Sequence, residues 1–289
     1  MKIVLSRKGF DSGTGKVASP IFPSGEICSL PIPEGRPDKR STTYGEIMVR
    51  GRNLGEVVAD LTRSRLTPGD AAHLDPDLIS GSLPRQAGWR PLFGQAGAAE
   101  SHLRRSGVGE GDVFVFYGWF RQVELGATGR YRYVPGAPDL HVIFGWLQIE
   151  RRISLSDAEQ IPPWARYHPH CMRRPHSKVD SLYVSTRQLQ LPGLEARKSG
   201  AGVFERFHPD LCLTAPGMRR SAWRLPGWFH PAGKRSTLSY HSNPARWKIA
   251  EPHVLLDTVG RGQEFVLDCD EYPEALEWLL RLLDLSAWC

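Results

Sequence analysis

DVFVFYGWF (residues 112–120) and HVIFGWLQIE (residues 141–150) decide how this chain is read. Their β-branched and aromatic content marks two central strands. A Pro-Gly-Ala-Pro turn at 135–138 precedes the second, so the two core strands bracket Arg121 to Arg132. Upstream, GQAGAAESHLRR (94–105) is rich in the helix formers Ala and Leu and stops before Gly107, which predicts a helix. Further out, the opening IVLS reads as a buried strand that delivers SRKGFDSGTGK (6–16) into a glycine-rich loop. Apolar runs around Ile21 and from Ile27 to Ile32 flank Pro23-Ser24-Gly25 and predict a hairpin. At the other end PEALEWLLRLL (273–283) is an amphipathic helix beginning near Pro273.

These elements predict an α+β fold, with a mixed β-sheet core and few helices. Residues 156–250 hold many Pro, Gly, Arg and aromatic residues and only short periodic runs. They are expected to form a loop-rich basic lobe on the same core, so that residues 1–289 make a single domain. The 40% hydrophobic and 24% charged content is that of a folded globular chain.

Charge is unevenly placed along the chain. Residues 151–250 carry 17 Lys+Arg against 6 Asp+Glu, a net +11, whereas residues 251–289 carry 2 against 9, a net −7. The basic stretch also holds ten aromatics, among them Trp164, Tyr167, Trp223 and Trp247. Arginine with interleaved aromatics suits phosphate contact and base stacking, which makes a nucleic acid or nucleotide the expected partner. The competing explanation is compositional, because 29 of the 37 basic residues are arginine. No apolar run approaches the roughly 18 residues of a membrane span. The short apolar start meets Arg7 and Lys8 at once, unlike a secretory signal. Cys28, Cys171, Cys212, Cys269 and Cys289 are scattered and odd in number, so a reducing cytoplasm and no disulfide are expected.

Three constellations could carry chemistry. Arg7, Lys8 and Asp11 lie in a glycine-containing loop just after a strand, where cations and backbone amides can hold an anion. The loop is not a P-loop, because Val17 follows Gly15-Lys16 where Ser or Thr is required. His73-Leu74-Asp75 puts an imidazole and a carboxylate two residues apart, on one side of an extended segment. That pair can ligate a metal, or Asp75 can orient His73 for proton transfer, or Asp75-Pro76 can simply make a turn. An H-x-D pair with a distant His and Arg is also the pattern of iron-dependent, 2-oxoglutarate-using oxygenases; His168 or His170, followed by Arg173 and Arg174, could finish such a site. Gln95 and His102, seven residues apart, share one face of the expected helix, as a cleft pair or a core pair. No G-x-S-x-G, H-E-x-x-H or G-x-G-x-x-G signature is present, and no cofactor is assigned.

Taken together, SRKGFDSGTGKVASPI, AAHLDPDL, GQAGAAESHL, GDVFVFYGWFR, HVIFGWLQIE and GQEFVLD resemble the third family of nucleotide-modification-associated domains, over Ile3 to about Asp268. The resemblance implies a link to hypermodification of bases in phage and bacterial DNA. It also raises Arg7, Lys8, Asp11, His73, Asp75, Gln95, His102 and Arg121 as site residues. The expected function is an enzyme acting on a modified base or nucleotide. In it His73, Asp75, His102 and Asp11 are the catalytic candidates, and Arg7, Lys8, Gln95 and Arg121 bind substrate. The alternatives are a non-catalytic reader of modified nucleic acid and an iron-dependent oxygenase. Arg7, Lys8, Asp11, His73, Asp75, Gln95 and His102 are expected to meet in one pocket.

Overall fold

In a computed structural model of the chain, which describes residues 1–172, 177–194, 197–233, 238–260 and 264–288, the two quoted runs are the longest strands and lie side by side. In chain order the strands are β1 (Lys2–Arg7), β2 (Ser19–Ile21), β3 (Ile32–Pro33), β4 (Met48–Val49), β5 (Arg52–Asn53), β6 (Ala72–His73), β7 (Leu92–Gln95) and β8 (Val113–Leu125). There follow β9 (Tyr131–Tyr133), β10 (Leu140–Ser154), β11 (Ser181–Ser185), β12 (Ala201–Val203), β13 (Ala222–Pro226), β14 (Trp247–Ala250), β15 (His253–Asp257) and β16 (Glu264–Asp268). The helices are α1 (Leu54–Thr62), α2 (Gly97–Arg105), α3 (Pro169–Met172) and α4 (Glu274–Asp284). The fold is therefore α+β.

The large sheet runs β16-β1-β8-β10-β11-β7, with β2 and β9 added on β8 and β12 on β10. It is mixed: β8 is parallel to β1 and β2, and antiparallel to β9 and β10. The sheet is strongly curled. Phe93 of β7 and Phe114 of β8 have ring centroids 4.9 Å apart, although β11 and β10 lie between their strands. In a flat sheet, three strand spacings would separate them by about 14 Å. The curl brings the two ends of the strand path together, so that Gln95 of β7 donates to Glu264 of β16 at 2.5 Å. The interior of this partly open barrel is aromatic, with Phe93, Phe114, Phe116 and Tyr183 all buried.

The outer edge of β7 is also covered. Asp77 exchanges two backbone hydrogen bonds with Leu92, at 3.0 and 3.1 Å, so residues 75–77 run antiparallel along that edge. Residues 156–250 supply β11 and β12 to the large sheet, while β13 and β14 flank β15 in a separate three-stranded sheet. The apolar stripe of α4 buries Ala275, Trp278, Leu279, Leu282 and Leu283, as its pattern predicts.

One local expectation is corrected and another is refined. The helix expected from Gly94 begins at Gly97, because Leu92–Gln95 pairs with β11 and Gly97 takes a left-handed φ of +61°. Gln95 therefore ends a strand and shares no helix face with His102. The expected hairpin around residues 23–25 forms but is short: the Gly25 N–H closes the turn on the Phe22 carbonyl, Phe22 and Cys28 donate across it to Glu26 and Pro20, and Ile21 bridges Ile27, while β2 also runs along β8 and Ile32 pairs with His73. Cys28, Cys171, Cys212 and Cys269 form no disulfide, and Cys289 lies outside the described residues. Among the described residues no helix is long and apolar enough to cross a membrane.

Candidate functional site

Successive residues of a strand point to opposite faces, and β7 uses both. Phe93 and Gln95 face the barrel interior. Gly94 faces outward, where a Cβ would stand 2.4 Å from the His170 ring, so glycine is what lets this imidazole lie against the strand. Five of the eight sequence candidates fall into two groups, one on each face, rather than into a single pocket.

The outer group is built from three segments. The β3–β6 pairing brings His73 beside Glu34, whose Oε2 lies 2.7 Å from His73 Nδ1. Two residues on, the Asp75 side chain folds onto the edge of β7 and its Oδ1 accepts from the Gly94 N–H at 2.8 Å. The segment that ends in α3 delivers His168 Nε2 to 3.3 Å from Asp75 Oδ1, and His170 Nε2 to 3.4 Å from Asp75 Oδ2. This segment is held in place one residue earlier. Tyr167 hydrogen-bonds Asp77, and Arg85 grips the same carboxylate with two bonds of 2.7 Å. The ligand atoms of His73, Asp75 and His170 all lie within 4.8 Å of one another.

The electrostatics of this group are unbalanced. Burial alone would raise the Asp75 carboxyl, but its contacts with His168 and His170 outweigh burial and hold it well below the usual range. Burial pushes the His170 imidazole down despite the neighbouring carboxylate. We therefore take Asp75 as ionised and His170 as neutral, since an imidazole this deeply enclosed loses more from desolvation than Asp75 returns. Among the described residues, only imidazoles form ion-pair contacts with Asp75. His168 is fully buried, and its Nε2 lies off the line of a good hydrogen bond, leaving it without a partner. Of the arginines that sequence placed after these histidines, Arg173 and Arg174 lie outside the described residues.

The inner group centres on Glu264, which sequence reasoning did not single out. Lys8 Nζ donates to its Oε1 at 2.8 Å while lying 4.6 Å from the Phe93 centroid, and Gln95 donates to the same oxygen. His102, carried in by α2, contacts Ser239 Oγ at 3.1 Å, and that hydroxyl donates to the Glu264 carbonyl. Burial and then Arg105 lower the His102 imidazole. Glu264 Oε2 and Ser6 Oγ, on directly opposed residues of β16 and β1, are both buried without a partner.

The other three candidates join neither group. Asp11 accepts from the Gly13 and Thr14 N–H groups at 2.8 and 2.6 Å, closing its own turn. Arg7 is adjacent to Lys8 on the chain, and its charge, with that of Arg220, bears on the buried His141. Arg121 lies 5.5 Å from the Tyr133 centroid with its Nε buried and unpartnered.

Beside the outer group is a mainly apolar cleft, lined by Ile27, Leu74, Leu78, Phe144 and Phe204 with Arg50 among its few charges. Asp75, Pro76 and Asp77 form part of its wall, so the segment that carries the buried carboxylate also bounds the cleft. A sequence profile described as nucleotide modification associated domain 3 matches residues 2–268. The chain belongs to that family. Membership in nucleotide modification associated domain 3 covers both groups and the cleft, and it ties the chain to nucleotide modification. No curated protein and no solved structure matches it.

Glu34 and Glu264 are the functional candidates that sequence reading missed. Each is a lone acid in an apolar or proline-rich setting, and the one available signal for Glu264 was a carboxylate heading the apolar run EFVLD.

Proposed function

We propose that this protein is an enzyme that modifies a base or nucleotide, free or within DNA, at the group formed by His73, Asp75 and His170. The observation that carries this reading is the double role of the 75–77 segment, which presents Asp75 to two imidazoles and walls the apolar cleft. A planar base held in that cleft stacks against apolar and aromatic side chains while its edge meets the wall that carries Asp75. Burial keeps His170 neutral, so its lone pair is available to a reacting group or a cation. Asp75 supplies the negative charge beside it. Glu34 holds His73 in one orientation through Nδ1. The net +11 of residues 151–250 attracts the phosphates of a nucleotide or polymer.

A reader of modified nucleic acid would use the same cleft without chemistry. The two are separated by incubating the protein with nucleosides, mononucleotides and DNA containing modified bases, then measuring nucleoside masses. An enzyme changes the mass of at least one substrate, and His170→Ala abolishes the change while binding survives. Binding without any mass change, equal in the wild type and in His170→Ala, would overturn the enzyme reading. Binding to DNA should weaken steeply between low and moderate salt, as counterion release requires.

A further inference from the structure

We propose that His73, Asp75 and His170 bind a divalent first-row transition metal ion. Two imidazole nitrogens and one carboxylate oxygen suit such an ion and leave coordination positions open for other ligands. Ligand atoms within 4.8 Å of one another are close to the separations that roughly 2.0–2.2 Å metal–ligand bonds impose, so small side-chain rotations complete the set.

Three further features point to a cation rather than to a self-contained polar core. Glu34 engages His73 Nδ1 at 2.7 Å, which leaves Nε2 as the free ligand nitrogen; a carboxylate behind a histidine is how proteins orient and strengthen a metal-binding imidazole. Asp75 divides its oxygens in the same manner. Oδ1 is held by the Gly94 N–H, and Oδ2 is turned toward His170. Lastly, the fully buried His168 Nε2 lies 3.3 Å from this carboxylate but completes no hydrogen bond. An unsatisfied buried polar atom is costly, and a small movement of Asp75 onto a metal through Oδ2 lets Oδ1 accept from His168. The ligand set is His73 Nε2, Asp75 Oδ2 and His170 Nε2, with Glu34 and His168 as positioning residues.

This inference does not depend on the nucleotide reading, because metal uptake is measured without substrate. Purified protein is stripped with chelator, then dialysed anaerobically against Mn(II), Fe(II), Co(II) or Zn(II) and analysed for bound metal; Co(II) is followed by its visible absorption. About one equivalent should bind to the wild type. His73→Ala and His170→Ala should lose it, and Glu34→Gln should weaken affinity by about 10–100-fold. His208→Ala, at an exposed imidazole remote from these ligands in sequence, is the control and should bind as the wild type does. Circular dichroism identifies any variant that fails to fold, and Glu34→Gln, which keeps size and shape, decides the matter if an alanine variant does. Substoichiometric uptake of all four ions by folded wild type, or full uptake that neither His73→Ala nor Glu34→Gln alters, would overturn the proposal. A protein that binds metal but changes no nucleoside would instead defeat the function proposed above.

Discussion

Asp75 and Glu264 are both buried carboxylates in contact with β7, but a lysine ammonium stands 2.8 Å from Glu264, whereas only imidazoles surround Asp75 among the described residues. Lys8 and Glu264 are almost completely enclosed, with side chains 9% and 1% exposed, and Gln95 ties them to the opposite end of the sheet. That arrangement clamps the barrel with charges already paired. The Asp75 group has the same depth but, among the described residues, no fixed cation; it has a shape-matched glycine behind it and a cleft along its backbone. The difference between the two separates a group that holds the fold from one suited to accept something from outside.

The largest effect should come from breaking the inner pair. Lys8→Met leaves Glu264 charged and unpaired, and should cost about 3–5 kcal/mol of unfolding free energy in urea titrations. Adding Glu264→Gln should restore much of the loss by removing the stranded charge. A double variant no more stable than Lys8→Met would mean that Glu264 is not neutralised by Lys8, and the contrast with Asp75 would collapse.

His141 offers a middle case, since it is buried like His168 but its Nδ1 accepts from the Trp223 indole N–H at 2.9 Å. Burial pushes it down to about 3 from an ordinary 6.5, with Arg220 and Arg7 adding to the effect. The unfolded chain takes up this proton below pH 6.5 and the folded protein does not, so stability falls as pH drops from 6.5 toward 3. At about 1.4 kcal/mol per pH unit, the loss from His141 is about 3 kcal/mol by pH 4. His141→Gln, which keeps an acceptor for Trp223, should flatten that slope in denaturant melts taken at several pH values. An unchanged slope would show that His141 is protonated in the folded state.

The smallest effect should be at Gly94. Gly94→Ala thrusts a methyl group against the His170 ring and should cost about 1–3 kcal/mol, while also displacing His170 from Asp75. Metal uptake should fall with it. Uptake at the wild-type level, with a crystal structure showing His170 unmoved, would show that the close approach of β7 does not set the outer group.

Much of the fold was legible because it rests on local composition. DVFVFYGWF and HVIFGWLQIE had no alternative but central strands, and the stripe of PEALEWLLRLL predicted α4 to within a residue. β7 was not legible: LFGQ has four residues and runs into an Ala-rich helix, so propensity assigned its second half to that helix. What makes it a strand is pairing with SLYVS, nearly ninety residues downstream. The site followed the same rule. His73 and Asp75 could be paired from their spacing, and His168-Pro169-His170 was visible as a cluster. The meeting of residues 34, 73–75 and 168–170 depends on a β3–β6 pairing and on the Tyr167–Asp77 contact, which no local pattern encodes.

The pairing of Lys2 with Asp268 sets a timetable for synthesis. β1 is flanked by β16 and β8, so it can dock on β8 early, but its other edge stays open until the far end of the sheet has been translated. At roughly 5–20 residues per second, the intervening stretch takes on the order of ten to fifty seconds to emerge. During that interval the nascent chain presents an unpaired apolar edge, with Lys8 still waiting for Glu264.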